Sequence, residues 1–168
     1  MKCKKIMILG GGKNQIPLIE AAEKLGYYVV VCDERGDIQG KQLCDKFIHI
    51  NYTDKELVLQ AARKEKIDGI ISNSEPAMLT VAYVSENLRL PGNSTSSIQK
   101  LLSKEKFRNL QKEAGVFAPF YRGAETPEEL LEAVGEMSFP VIIKPAESSG
   151  SRGTTRLDNF DREKILEA

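Results

Sequence analysis

Four short apolar runs, interleaved with three stretches of helical spacing, dictate most of what this chain can fold into. Lys5 to Leu9, Tyr27 to Cys32, Phe47 to Ile50 and Ile67 to Ile71 are short apolar runs, the second rich in β-branched and aromatic residues, and they read as strands. Gln15 to Leu25 repeats Ile16, Ile19, Ala22 and Leu25 at helical spacing and stops at Gly26. Asp54 to Lys66 predicts a second helix, capped by Asp54 or Thr53, with Leu57, Ala61 and Ala62 on its inner face. Pro76 to Leu88 predicts a third, with Ser74 as N-cap and Pro76 near the first helical position. Strands apolar on both faces that alternate with helices require a parallel sheet covered on both sides.

The pattern breaks at Pro91-Gly92-Asn93-Ser94, which places a boundary there and divides the chain into residues 1–95 and 96–168. The second region predicts helices over Ser97 to Leu102 and Lys104 to Glu113, a strand near Phe120 to Gly123, and a helix opened by Thr126-Pro127-Glu128-Glu129. Strands over Val141 to Lys144 and Thr154 to Leu157 and the start of a helix at Asp161 complete it. So few elements close a core with difficulty, and the expectation is a fragment of a longer protein.

Apolar residues make up 41% of the 168, enough for a core, and the charges balance at 24 basic and 24 acidic. That balance argues against a general nucleic-acid binder. No apolar run approaches the roughly 20 residues that span a bilayer, so no membrane partner is expected. Ile6 to Leu9 is too short for a signal-peptide core of about 7–15 residues. Cys3, Cys32 and Cys44 are odd in number and form no CxxC pair, which predicts reduced thiols in a cytoplasmic protein and no metal site. Cys32 and Cys44 read most simply as structural thiols, and His49 as a strand histidine rather than a catalyst.

The densest chemistry lies in FPVIIKPAESSGSRG, Phe139 to Gly153. A strand delivers Lys144 as a fixed point charge. The loop that follows, Glu147, Ser148, Ser149, Gly150, Ser151, Arg152 and Gly153, has small residues whose backbone N–H groups can close over phosphate oxygens. It lacks the G-K-[ST] ending of a Walker loop. The blander reading, a basic strand end before a surface turn, has about even weight on spacing alone.

Taken in order, three stretches resemble the ATP-grasp superfamily, in particular carbamoyl-phosphate-synthase-like and carboxylate–amine ligases. They are Ile8-Leu9-Gly10-Gly11-Gly12 with Gln15 and Pro17; Ser103-Lys104 opening a helix that ends in Ala114-Gly115-Val116 before Pro119; and Phe139 to Pro145 with Gly150, Arg152 and Gly153. The resemblance implies an α/β fold: a Rossmann-like parallel-sheet pre-ATP-grasp domain over 1–95, then an incomplete α+β ATP-grasp subdomain over 96–168. It implies ATP as the nucleotide, with Lys104 and Lys144 on its phosphates; Lys106 rivals Lys104 but keeps the family's distance to the Gly-Val pair less well. It implies activation of a carboxylate, bicarbonate or carbamate as an acyl phosphate for attack by an amine. The hinge that reads adenine and the ligands for Mg2+ belong to the family's second half, so this chain alone is expected to be inactive. Small carboxylate and amine substrates, and a homodimer through the first domain, are the partners the resemblance allows.

Ligands of doubly wound sheets meet strand C-termini and helix N-termini, and the resemblance implies that this edge faces the substrate to be ligated, which makes Gly11, Gly12, Gln15 and Glu75 the candidate substrate-side residues. Tight turning alone also accounts for the glycines, and helix capping for Ser74 and Glu75. Lys104 is poorly placed for helix stability, beside the positive end of the dipole, which favours a functional role over a solvated surface lysine. A non-catalytic nucleotide- or metabolite-binding module, or an NAD-binding Rossmann domain, is the competing reading. Asp33 has the ribose-binding spacing, but Gln15 stands where the dinucleotide fingerprint needs glycine.

Overall fold

A computed structural model describes residues 3–148 and 152–168. The chain divides into two compact units, Met1–Gln99 and Lys100–Ala168.

In the first unit, β1 (Lys5–Leu9), β2 (Tyr28–Asp33), β3 (Lys46–His49) and β4 (Gly69–Ile71) form one sheet in the order β3-β2-β1-β4, every pair parallel. Met7 stands opposite Val30 on one side and Ile70 on the other. Alternate residues of a strand point to opposite faces. Met7, Leu9, Val30 and Cys32 therefore pack in one cluster with Val58, Leu59 and Ala62 of α3 (Lys55–Glu65) and Val84 of α4 (Met78–Leu88). Ile8, Val29 and Val31 pack in the other with Ile19 and Ala22 of α1 (Ile16–Lys24). Each large aliphatic side chain buried this way contributes roughly 1.5–3 kcal/mol. Because β2 and β3 lie on one side of β1 and β4 on the other, the direction in which strands are added to the sheet reverses, with a switch point between β1 and β4. Open parallel sheets place their ligands at the strand C-termini beside such a switch.

Local chemistry sets the ends. The Asp54 carboxylate accepts from the N–H groups of Glu56 and Leu57, both at 3.1 Å, which satisfies two orphan donors of α3. Several expectations need correction. Val58 and Leu59, rather than Leu57, face the sheet, and Leu57 is 44% exposed. The Ser74 side chain makes no cap bond; its N–H donates instead to Ser72 Oγ at 3.1 Å, and Glu75–Ala77 is a 3-10 turn ahead of α4. A four-residue helix, α2 (Gly40–Leu43), lies between β2 and β3 and carries too little periodic sequence to be read in advance. α5 (Thr95–Leu102) starts two residues before Ser97 because Ser94 Oγ accepts from the Ser97 N–H at 3.1 Å.

The second unit holds α6 (Lys104–Glu113), α7 (Pro127–Gly135), the antiparallel pair β5 (Val141–Ile143) and β6 (Thr155–Leu157), and α8 (Arg162–Glu167). Thr126 and Glu129 close a full capping box on α7. Val134, Val141, Leu157 and Ile165 form a small core with Leu130, Leu131, Met137, Phe139 and Ile143 around it. Residues 120–123, expected as a strand, are irregular. A strand exists through its hydrogen-bonded partner, and among the described residues none pairs with this segment. Phe117 and Phe120 stay 86% and 69% exposed as a result.

Candidate functional site

The first group of site residues gathers at the C-terminal ends of β1, β2 and β4. The chain leaves β1 through Gly10, whose φ of 89° lies in the region that favours glycine. The Gly10 N–H donates to the Cys32 carbonyl at 2.8 Å, and the Gly11 N–H to Asp33 Oδ2 at 2.9 Å. Asp33 also receives the Arg35 backbone N–H at 2.9 Å, Nε at 3.1 Å and Nη2 at 2.9 Å. Burial raises the Asp33 carboxyl, but the Arg35 side chain, its backbone N–H and the Gly11 N–H together outweigh that and hold it below the ordinary range. Asp33 is thus consumed inside the protein and keeps no open lone pair for a ribose, which removes the main support for a dinucleotide reading.

The other side of the crevice is tied by amides. Gln15 Nε2 donates to Asn73 Oδ1 at 2.7 Å, and Asn73 Nδ2 donates to the Asn14 carbonyl at 2.7 Å. Ser72 Oγ donates to the Leu9 carbonyl, also at 2.7 Å. The four residues expected on the substrate side therefore divide. Gly11 and Gln15 are buried and bonded to their own neighbours, so they shape the site, whereas Gly12 is half-buried and Glu75, after β4, is exposed. Arg35 escaped the sequence reading; its signal was a cation two residues beyond the acid that ends β2. His49 is exposed, its Nε2 2.5 Å from the Glu34 carbonyl oxygen.

The second group lies in the second unit. Ser103 Oγ accepts from the Lys106 N–H at 3.4 Å and starts α6, which sets Lys104 at the first helical position. The Lys104 N–H reaches the Ala146 carbonyl at 3.3 Å. Its Nζ donates to the Ser148 carbonyl at 2.8 Å, the Ala146 carbonyl at 3.3 Å and Ser148 Oγ at 3.4 Å. Lys144, exposed, directly follows β5 and opens the same loop. Glu147, Arg152 and Gly153 are exposed, and Ser148 Oγ donates to the Arg152 carbonyl at 3.4 Å. Ser149, Gly150 and Ser151, also expected on the phosphates, lie outside the described residues. A groove of about 740 Å³ in this unit, lined by Val116, Pro119, Phe120, Tyr121 and Arg122 among others, includes neither lysine.

Two family profiles match the chain: the ATP-grasp N-terminal domain over residues 19–92, and the carbamoyl-phosphate synthase L chain, ATP binding domain, over residues 103–166. The chain belongs to the ATP-grasp superfamily. Among its ATP-grasp relatives, a formate-dependent phosphoribosylglycinamide formyltransferase of Chlorobium phaeobacteroides is 29% identical over 89% of this chain and 39% of its own. Its counterpart in Bacteroides thetaiotaomicron is 27% identical over 94% and 41%. The fold is that of N5-carboxyaminoimidazole synthetase of Staphylococcus aureus, solved in complex with ADP (TM-score 0.81, 24% identity, 99% of this chain and 46% of that one). The chain thus spans about two fifths of the length of the curated relatives it matches. Among the described residues, no helix is long and apolar enough to cross a membrane.

Proposed function

We propose that this chain supplies the substrate-side unit and the first part of the ATP-phosphate site of an ATP-dependent carboxylate–amine ligase. Residues 1–95 are read as the pre-ATP-grasp domain and 96–168 as the start of the ATP-grasp domain. ATP gives its γ-phosphoryl group to a carboxylate, bicarbonate or carbamate; an amine attacks the acyl phosphate and phosphate leaves. The names of the matched formyltransferases and the carbamoyl-phosphate synthase profile support this reaction class. A cytoplasmic homodimer is part of the same reading; the free cysteines support the compartment, and sedimentation checks the assembly.

The observation that carries the reading is the seating of Lys104 on the backbone of the loop that Lys144 opens. Two lysines from separate elements thereby converge on one short segment, as charge stabilisation of a transferring phosphoryl group requires. Lys144 supplies a point charge at a strand end. Lys104 exchanges loop carbonyls for phosphate oxygens. The residues present therefore suit ATP. For Mg2+ the described residues hold no group of three or more His, Cys, Asp or Glu side chains suited to a metal, and none is assigned to it.

Calorimetric titration with ADP, MgATP and NAD+ tests the nucleotide, and Lys144→Ala in the natural gene product tests the chemistry. The expected results are adenine-nucleotide binding without NAD+ binding, and loss of substrate-dependent ATP hydrolysis with the fold intact. NAD+ binding in place of ADP, or undiminished turnover in the variant, overturns the reading.

A further inference from the structure

The Asp33–Arg35 pair is asymmetric in a way that neutralising a buried acid does not require. The Asp33 side chain is fully buried, while that of Arg35 is 58% exposed. A guanidinium offers five N–H donors in a rigid fork. Nε and one Nη2 hydrogen are committed to Asp33. The outer edge, Nη1 and the second Nη2 hydrogen, is left over, and the buried carboxylate fixes its position. The fork also lies against the first β–α turn: a Cβ added at Gly12 would sit 3.1 Å from Nη2 and 3.7 Å from Nη1. Gly12 is thus the residue that lets a cation approach the turn at the end of β1, where parallel sheets receive ligands. Lys13, exposed, follows at once, and no acid occupies the first turn of the 3-10 helix it starts. Glu34 and Asp37 flank Arg35 in its own loop, and among the described residues neither forms an ion pair with it.

We propose that Arg35 is an oxyanion-binding residue of the substrate side, taking a carboxylate or phosphate-ester group of the molecule to be ligated against the Gly12 turn. A planar fork pre-positioned by a buried acid loses little freedom on binding, and it recognises two oxygens of one anion at once. Arg35 thereby selects anionic substrates and sets their register at the end of β1. The proposal rests on reading the Gly10–Gly12 turn as the substrate side. Its test reads binding without turnover, so it can fail while the ATP reading stands, and the reverse.

The experiment is an NMR titration of the 168-residue chain with inorganic phosphate, acetate and ribose 5-phosphate, at ionic strength held constant with chloride. The expected result is a saturable shift of the Arg35 Nε–H and Gly12 amide signals with at least one probe. Saturation by acetate alone assigns a carboxylate, and by ribose 5-phosphate alone a phosphate ester. Arg35→Gln raises the dissociation constant at least tenfold, and Arg35→Lys, which keeps the charge and loses the fork, falls between. The wild-type arm needs no variant, so a failure of Arg35→Gln to fold does not spoil the test. No saturable shift at Arg35 with any probe, or equal affinity in Arg35→Gln, overturns the proposal. Shifts confined to Lys104 and the 144–153 loop overturn it too, while leaving the nucleotide reading intact.

Discussion

Lys104 Nζ lies 2.8 Å from the Ser148 carbonyl oxygen, although the two residues are 44 positions apart. The contact ties the first turn of α6 to the loop that follows β5. It also places a cation over a backbone segment whose neighbours are glycine and serine.

Replacing Lys104 by Ala removes donors that only a ligand or the loop can use. A charge-assisted hydrogen bond is worth about 1.5–3 kcal/mol, so ADP affinity is expected to fall by about tenfold or more. The lysine is partly exposed and its partners remain open to water, so the melting temperature is expected to move little. Calorimetry and thermal unfolding on the same sample separate the two effects. Unchanged ADP affinity would remove Lys104 from the site.

The sheet was legible because its strands carry redundant information: Lys5–Leu9 and Tyr28–Asp33 are apolar on both faces, and only a doubly covered parallel sheet buries both. The positions of the two lysines at the start of α6 and the end of β5 follow from Ser103 and from the apolar run before Lys144, whereas their role on phosphates rests on the family resemblance and stays a proposal. What was not legible depends on partners distant in sequence. Residues 120–123 have strand-like composition without a strand beside them. Asp33 matches a ribose-binding position in spacing, yet Arg35 and the Gly11 N–H consume it, and no periodicity reports that. Gln15 breaks the glycine fingerprint and is expected on the substrate side, but its bond to Asn73 appears only once β1 and β4 are neighbours.

The core of the first unit makes a sharper stability prediction. Ile8 is fully buried and packs on Ile19 of α1. Ile8→Ala is expected to cost about 2–5 kcal/mol, since the sheet cannot close over the lost volume. Leu57→Ala on the exposed side of α3 is expected to change stability by under about 0.5 kcal/mol. Urea unfolding of the pair checks this, and similar losses for both would contradict the packing described.

Cys32 offers a chemical readout of the same core. Burial, with Glu65 and Cys44 nearby, pushes its thiol up from 9.0 to about 12. A thiol raised in the folded state stabilises below the unfolded value, and that stability drains as pH rises from about 9 toward 12. At pH 8 a thiol reagent is therefore expected to label exposed Cys3 quickly and Cys32 only after denaturant is added. Fast labelling of Cys32 in the native protein would show that β2 is not sealed.

Asp33 carries the most consequential titration. Its carboxyl is held low in the folded state, while in the unfolded chain it takes the ordinary value of about 3.9. The unfolded state therefore binds the proton first, and stability rises with pH through this window. The contribution is fully present above about pH 4–5 and is lost as pH falls through the folded value. Asp33→Asn removes the charge, leaves the Arg35 fork without its counter-ion and weakens the anchor of the Gly11 N–H. Arg35 is more than half exposed and stays hydrated once its partner is gone, so the cost is that of the lost charge-assisted hydrogen bonds, about 1.5–3 kcal/mol. The expected outcome is a less stable protein at neutral pH whose stability changes less between pH 5 and 2 than the wild type's, measured by urea unfolding at each pH. A variant as stable as wild type at pH 7, with an unchanged acid limb, would mean that Asp33 does not hold the turn in solution.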